Sequence, residues 1–123
     1  MQRLAGGLQG VLPQVLYTST ITQAEILLRI ELLPKGVRRS NLQSAAETMF
    51  ESAFAGRILP FDEDAARALP RIATHRRSLG RPISQYDAQI AAIALSRDVQ
   101  IATRDIADFA DCGVMVIDPW AGD

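Results

Sequence analysis

The chain has 123 residues, 48% of them hydrophobic, and a formal net charge of −1 at pH 7. This size and composition suit one continuous core, so we expect residues 1–123 to form a single domain. The charge balance excludes a protein that binds nucleic acid through an overall basic surface. One cysteine cannot form an intramolecular disulfide, and no apolar run approaches the roughly 20 residues that span a bilayer. We therefore expect a cytoplasmic protein without a membrane segment.

The first predicted strand covers Val15 to Thr18, a β-branched and aromatic run, and a helix with crowded apolar residues follows it. Thr22 and Glu25 in this helix have the spacing of a capping box. Glu25 also stands four residues before Arg29, a spacing that favours an ion pair. A buried strand followed by a capped helix is the first unit of the predicted fold.

A long amphipathic helix is predicted over residues 37–55, closed by Gly56. The strand Ile58 to Phe61 follows, and Asp62 is a good N-cap for the next helix. Pro70 lies inside that helix and is expected to kink or split it near residue 69.

Ser84 is predicted to cap the last long helix, whose Ala and Ile residues imply burial on most sides. The runs Val99 to Thr103 and Val114 to Ile117 are predicted as the third and fourth strands. Strands that alternate with helices predict an α/β fold with a mostly parallel sheet and helices on both faces.

Three acidic residues occupy positions where a parallel sheet places its ligands. Glu25 is expected in the first turn of the helix after the first strand, Asp87 in the first turn after Ser84, and Asp105 directly after the third strand. We expect these carboxylates to converge at one edge of the sheet. Such an oxygen-rich site suits Mg²⁺ or Mn²⁺ and the hydrolysis of a phosphodiester by a metal-activated water.

Each acid taken alone also has a purely structural interpretation. Glu25 and Asp87 both have capping-box spacing, to Thr22 and Ser84. Asp105 is placed to cap the short turn that follows it. On the residues alone, a metal site and a set of helix caps both remain open.

Four blocks in unbroken order, over about residues 15–120, carry a family resemblance: TSTITQAEILLRIELLPKGVRR, FAGRILPFD, RPISQYDAQIAAIALSR and IATRDIADFADCGVMVIDPW. They closely resemble VapC-type PIN-domain toxins, in particular the FitB-like subgroup. The resemblance implies a PIN-like three-layer domain and a Mg²⁺- or Mn²⁺-dependent endoribonuclease of a type II toxin-antitoxin system. It further implies RNA as the substrate, a cognate antitoxin as a protein partner, and a homodimer.

The resemblance also implies which residues form the site. Glu25 matches the acid of the family's "ITxAEI" block, and Asp87 matches the acid of "ISxxDAQIAA". The acid of "ATRNxxDF" falls either on Asp105, which stands where the family often has Asn, or on Asp108. Glu25, Asp87 and Asp105 are thus the implied catalytic residues, and Asp108 joins them as an implied metal ligand.

Thr103 and Arg104 belong to the same block and are the implied substrate-binding residues, although Thr103 can equally cap the following turn. Scattered arginines offer a local basic rim for RNA phosphates, but such residues are more often part of a solvated face. The candidates are Arg38, Arg39, Arg57, Arg71, Arg76, Arg77, Arg81 and Arg104.

The remaining conspicuous side chains have structural interpretations. His75 has no Cys or His partner at metal-ligand spacing and is expected at the surface. Cys112 is expected to be a small packing residue. The aromatic residues are expected to anchor a core or an interface; they are Tyr17, Phe50, Phe54, Phe61 and Trp120.

One family feature has no match in this sequence. Family members begin with a strand ending in "DTNV", which lies in the middle of the sheet and brings a principal metal ligand, whereas residues 1–24 contain no acid. A misassigned start, a degenerate gene, or a rearranged domain whose gap is filled by residues 9–15 or by a second copy would each explain this. We therefore expect impaired cleavage, and the alternative function is a catalytically inert PIN-fold module that dimerises and binds an antitoxin.

Overall fold

The computed structural model describes residues 3–5 and 16–119. Within these ranges, none of the helices is long and apolar enough to cross a lipid bilayer. The elements in chain order are β1 (Arg3–Ala5), β2 (Leu16–Ser19), α1 (Thr20–Glu31), α2 (Val37–Thr48), a π-helix (Met49–Ala53), β3 (Ile58–Leu59), α3 (Glu63–Ser78), α4 (Gln85–Arg97), β4 (Gln100–Ala102), a 3₁₀-helix (Ile106–Phe109) and β5 (Val116–Ile117).

The described strands form one sheet in the order β3-β2-β1-β4-β5. β2 pairs with β3 in parallel, and β4 pairs with β5 in parallel, whereas β1 is antiparallel to both of its neighbours, β2 and β4. All strands except β1 therefore run in one direction, which confirms the mostly parallel sheet. The carboxyl ends of β2 and β4 consequently lie at the same edge.

β1 occupies the middle of the sheet, with Leu4 opposite Tyr17 of β2 and opposite Ile101 of β4. The sequence left open whether residues 9–15 or a second copy fill this place, and Arg3–Ala5 occupy it in the structure; residues 9–15 themselves lie outside the described residues. Two facing strand edges leave rows of backbone N–H and C=O groups to be paired, and a short strand of either direction can pair them.

Helices cover both faces of the sheet. Successive residues of a strand point to opposite faces. In β3, Leu59 packs against the cluster built by α3 and α4, whereas Ile58 packs against the cluster of Ile30, Ala46 and Phe50 from α1, α2 and the π-helix. The two clusters therefore lie on opposite faces, which confirms the predicted three-layer arrangement.

The centre of the larger cluster is α4. Ala91, Ala92, Ile93 and Ala94 are fully buried, as the predicted burial on most sides requires. Because alanine side chains are small, they allow a neighbouring helix to approach closely, and α3 packs along α4. Tyr17 and Phe61 pack at the margin of this cluster and Phe50 is buried in the other, as expected for anchors; Trp120 lies outside the described residues.

The start of α1 differs from the predicted capping box. Ser19 is the N-cap: its Oγ accepts a hydrogen bond from the Thr22 backbone N–H at 3.0 Å and donates one to Thr22 Oγ1 at 3.1 Å. The helix begins at Thr20, so Glu25 lies beyond the first turn and does not cap it. The prediction placed the helix start too late because β2 leads into α1 without a loop.

α3 runs without a break from Glu63 to Ser78, so Pro70 does not split it, and the alternative that Pro70 kinks it stays a prediction. A proline removes one hydrogen bond within the helix, and packing on both sides of it offsets that loss. Ala65 and Ile72, which lie on either side of Pro70, are both buried in the α4 cluster. Asp62 caps the helix as predicted, with its Oδ1 accepting from the Ala65 N–H at 3.0 Å.

The 3₁₀-helix provides a direct test of the core. Phe109 is fully buried in the α4 cluster, whereas Ile106 in the same turn is 43% exposed. Phe109→Ala should lower the free energy of unfolding by about 3–5 kcal/mol, and Ile106→Ala by less than about 1 kcal/mol. Urea denaturation of both variants checks this, and equal losses would contradict the described packing.

Candidate functional site

Glu25 projects from α1 near the carboxyl end of β2. Its side chain is 31% exposed, and its Oε1 lies 3.7 Å from a terminal nitrogen of Arg29, the partner predicted at i+4. Arg29 is largely exposed, and ion pairs between exposed groups contribute little to stability. The Glu25 carboxylate is therefore only loosely engaged within the fold and is accessible to a ligand.

Asp87 lies in the first turn of α4, where Ser84 is the N-cap as predicted and its Oγ accepts from the Asp87 N–H at 3.2 Å. Burial raises the pKa of the Asp87 carboxyl above its usual value, and the negative charges of Asp108, Glu25 and Asp105 raise this pKa further, although a hydrogen bond from Ser84 opposes them. Acids from two other parts of the chain, α1 and the segment after β4, thus act electrostatically on one half-buried aspartate.

Asp105 and Asp108 follow β4, and both are exposed. Asp105 stands at the N-cap of the 3₁₀-helix but its side chain makes no capping hydrogen bond; the backbone carbonyl of Asp105 accepts from the Asp108 N–H at 3.0 Å instead. The structural interpretation of Asp105 as a side-chain cap is therefore wrong. Of the two acids, Asp108 has the larger effect on the pKa of Asp87.

Thr103 is almost fully buried at the end of β4, and its Oγ1 accepts a hydrogen bond from the Asp105 N–H at 3.0 Å. The alternative in which Thr103 caps the following turn is thereby confirmed, and it fixes the backbone at Asp105. Arg104 is exposed between these two residues. Its predicted contact with substrate stays a prediction, as does that of Thr103.

The donor chemistry of the site suits a hard divalent cation, because every candidate ligand is a carboxylate. Among residues 16–119, no group of three or more His, Cys, Asp and Glu side chains is close enough to hold one ion directly. Mg²⁺ usually keeps several waters and binds through one or two carboxylates. A hydrated ion near Asp87 would also offset the repulsion that raises the pKa of this residue.

Arg76 was expected at the surface, in the basic rim, and this expectation is wrong. Its side chain is buried, and its guanidinium donates to the carbonyl oxygens of Arg81, Asp108 and Ala110 at 2.7, 2.9 and 3.0 Å. A sequence signal for this burial exists, because Arg76 continues the buried stripe of α3 that contains Ala68 and Ile72.

Other arginines of the predicted rim also hold the fold together. Arg57 donates to the carbonyl oxygens of Leu16 and Ala53, so it ties the π-helix to β2. Arg39 pairs with Glu31, and Arg81 pairs with Asp111. Exposed positions are occupied by Arg38, Arg71 and Arg77.

The expectations for the histidine and the cysteine are confirmed. His75 is exposed on α3, and Cys112 is buried in the α4 cluster. Burial raises the pKa of the Cys112 thiol, which keeps it protonated and unreactive at neutral pH.

Comparison with known proteins gives a consistent result. The family model described as "PIN domain" matches residues 3–113. The chain is 37% identical over 107 residues to the protein named "VapC ribonuclease Y4jK" of Sinorhizobium fredii, covering 87% of this chain and 76% of that protein. It is 35% identical over 119 residues to "Toxin FitB" of Neisseria gonorrhoeae, covering 97% and 86%.

A solved structure of a member of the VapBC family of toxin-antitoxin systems, VapBC-5 from Mycobacterium tuberculosis, superposes with a TM-score of 0.69 at 28% identity, covering 82% of this chain and 79% of that one. The residues matched by the family model span β1 to β4, the helices α1 to α4 and the positions of the four candidate acids. The chain therefore belongs to the PIN domain family.

Proposed function

We propose that this protein is a metal-dependent endoribonuclease, the toxin of a type II toxin-antitoxin system. Relatives named as a VapC ribonuclease and as a FitB toxin support the activity class. The observation that carries the proposal is geometric: β2 and β4 end at the same edge of the sheet, Glu25 lies in the helix after β2, and Asp105 and Asp108 lie in the segment after β4. The raised pKa of the half-buried Asp87 agrees with this arrangement. Perturbed acids grouped at the carboxyl edge of a parallel sheet are typical of a functional site.

In this proposal, Glu25, Asp87, Asp105 and Asp108 hold Mg²⁺ or Mn²⁺, directly or through its bound waters. When bound, the ion would lower the pKa of a water and offset the charge of the phosphate. The protein's own contribution is to hold these carboxylates in position for the ion. Ser84 orients Asp87 through the N-cap of α4.

Substrate contacts are proposed at the end of β4. The buried Thr103 fixes the backbone that leads into the acidic segment, and Arg104 is exposed beside it. A guanidinium can bind a phosphate oxygen pair with two hydrogen bonds, which makes Arg104 suitable for the RNA backbone. Exposed arginines on α2 and α3 would extend this contact along the RNA strand.

We further propose that cleavage by this chain is slow. The strand β1, which occupies the middle of the sheet between β2 and β4, consists of Arg, Leu and Ala and brings no carboxylate to the site. Fewer fixed ligands bind a divalent ion more weakly and position the attacking water less well. If cleavage proves absent, the protein is instead an inert module that dimerises and binds an antitoxin.

Cleavage is tested with a mixed RNA substrate and Mn²⁺. We expect slow cleavage that Asp87→Asn reduces at least about 100-fold, because loss of a metal ligand should cost no less than loss of a group that orients one. Asp64→Asn, which alters an exposed aspartate of α3, is the matched control and should leave the rate unchanged. Cleavage that survives in Asp87→Asn would contradict the proposed site, whichever metal is present.

The raised pKa of Asp87 predicts how stability depends on pH. Because this pKa is higher in the folded protein than in the unfolded chain, the contribution of Asp87 to stability is fully present below about pH 4 and is lost as the pH rises through the folded value. Asp87→Asn should therefore raise the melting temperature at pH 7 in a metal chelator, and this gain should disappear at low pH.

The same variant tests metal binding by linkage. Mn²⁺ should raise the melting temperature of the unaltered protein at pH 7, because a ligand that binds only the folded state stabilises it. It should have little effect on Asp87→Asn. A lower melting temperature of Asp87→Asn in chelator at pH 7 would show that the acidic cluster does not oppose folding.

The antitoxin partner is proposed to dock on an apolar stripe at the surface of α1. This α1 stripe consists of Leu27, Leu28, Leu32 and the neighbouring Val37, which are 37%, 49%, 75% and 77% exposed. Contiguous exposed apolar residues often mark a protein interface. The solved VapBC-5 relative belongs to a toxin-antitoxin family, which favours an antitoxin as the occupant. The homodimer and a cytoplasmic location belong to the same proposal.

A charged residue introduced into the α1 stripe should weaken the binding of the antitoxin. Leu28→Asp is expected to weaken binding of the co-expressed cognate antitoxin at least about 100-fold, since a buried unpaired charge costs several kcal/mol. Leu79→Asp, at a leucine of similar exposure at the end of α3, is the control and should bind normally. Light scattering of each variant alone shows whether the α1 stripe instead forms the homodimer, an outcome that would contradict its assignment to the antitoxin.

A further inference from the structure

The acidic segment, residues 105–112, carries two of the four candidate ligands and has only one turn of 3₁₀-helix as regular structure. A hydrogen bond to Thr103 and the ion pair between Arg81 and Asp111 hold it at its two ends, and two interior side chains hold it between these ends. Phe109 is fully buried against α4, and the Arg76 guanidinium donates to the carbonyl oxygens of Asp108 and Ala110. Arg76 Nη1 also lies 3.9 Å from Cys112 Sγ. One buried side chain of α3 therefore contacts this segment at three points.

Phe109 and Arg76 restrain the acidic segment in different ways. Burial of Phe109 is apolar and has no directional preference, so it holds the segment down without fixing its rotation. Hydrogen bonds to carbonyl oxygens are directional, and those of Arg76 fix the peptide group of Asp108 itself. The side chain of that residue has the largest electrostatic effect on Asp87 among the neighbouring acids.

Arginine is suited to this position by its geometry. Its five N–H donors lie in one rigid plane, so a single side chain can serve several carbonyl groups at once. Arg76 Nε donates to the Arg81 carbonyl at 2.7 Å, which fixes the guanidinium beside the end of α3, and Nη1 makes the contacts with the acidic segment. Lysine has a single donor nitrogen and could not serve all of these carbonyls in the same directions.

We propose that Arg76 is a positioning residue, which holds the acidic segment so that its carboxylates stay near enough to Asp87 to bind a hydrated divalent cation together with it, through the waters of that cation. The inference rests on the proposed function for its chemistry, but the holding of the segment can be measured without metal. Misplacement of a ligand by about 1 Å is enough to reduce catalysis about 100-fold.

The test uses the whole chain with Arg76→Met, and Arg97→Met as the control at an exposed arginine of α4 that pairs with Asp62. In Arg76→Met, Mn²⁺ affinity measured by calorimetry should fall about 10- to 100-fold, as on loss of other groups that orient metal ligands. The kcat for RNA cleavage should fall while the KM for RNA changes little. Amide hydrogen exchange should accelerate in residues 105–112 and stay slow in α1 and α4. Arg97→Met should match the unaltered protein in all three measurements.

Two further variants separate positioning from general stability. Arg76→Lys keeps the charge and one donor nitrogen, so it should recover part of the Mn²⁺ affinity even if Arg76→Met folds poorly. In combination with Asp108→Asn, Arg76→Met should add little further loss of affinity, because both changes act on one ligand.

Three results would overturn the inference: unchanged exchange in residues 105–112, exchange accelerated equally across the domain, or full additivity with Asp108→Asn. Failure of the proposed function would be recognised from the unaltered protein instead of the variants. If the unaltered protein neither binds Mn²⁺ nor cleaves RNA, the ribonuclease proposal fails, while the exchange measurement still decides whether Arg76 holds the acidic segment.

Discussion

The close packing around α4 is the constraint on which the rest of this structure depends. Its middle residues are alanine and isoleucine with no exposed surface, and α3, α1, β4 and the 3₁₀-helix all contact it. Because these neighbours approach so closely, the first turn of α4 is held at the edge of the sheet and Asp87 is half-buried there. Burial is also the main cause of the raised pKa of Asp87, so the packing that stabilises the fold creates the unusual acid.

The acidic side chains near Asp87 repel one another when they are ionised, and this repulsion lowers the stability of the folded protein. Glu25, Asp105 and Asp108 each disfavour the ionised form of Asp87, because all four side chains are negatively charged when ionised. Such local opposition is common where function requires an arrangement that stability alone would not select. The hydrogen bonds of Ser84, Thr103 and Arg76 hold this arrangement, and each of them involves the backbone of an acidic residue in it.

A strand in the middle of the sheet can serve two purposes: it can pair the backbones of its neighbours, and it can supply a carboxylate to a metal site. In this protein β1 serves only the first. Backbone groups of β2 and β4 need hydrogen-bond partners, and β1 supplies them in the antiparallel direction. A metal site needs carboxylates, and Arg3–Ala5 provide none. Because backbone pairing is independent of side-chain chemistry, the sheet is complete in this place without any contribution to the acidic cluster.

The amino-acid sequence by itself determined the order of strands and helices, the caps at Asp62 and Ser84, and the burial of α4, because these follow from local spacing and from the period of apolar residues. The family blocks pointed to the acids at positions 25, 87, 105 and 108.

Other features depend on contacts between distant segments, which local spacing does not encode. The direction and residues of β1 were decided by the facing edges of β2 and β4. The continuity of α3 through Pro70 was decided by its packing on α4. The role of Arg76 was decided by carbonyl groups more than thirty residues away in the chain. Hydrogen-bond partners that come together only when the chain folds are the physical reason that an arginine expected at the surface proved to be part of the interior.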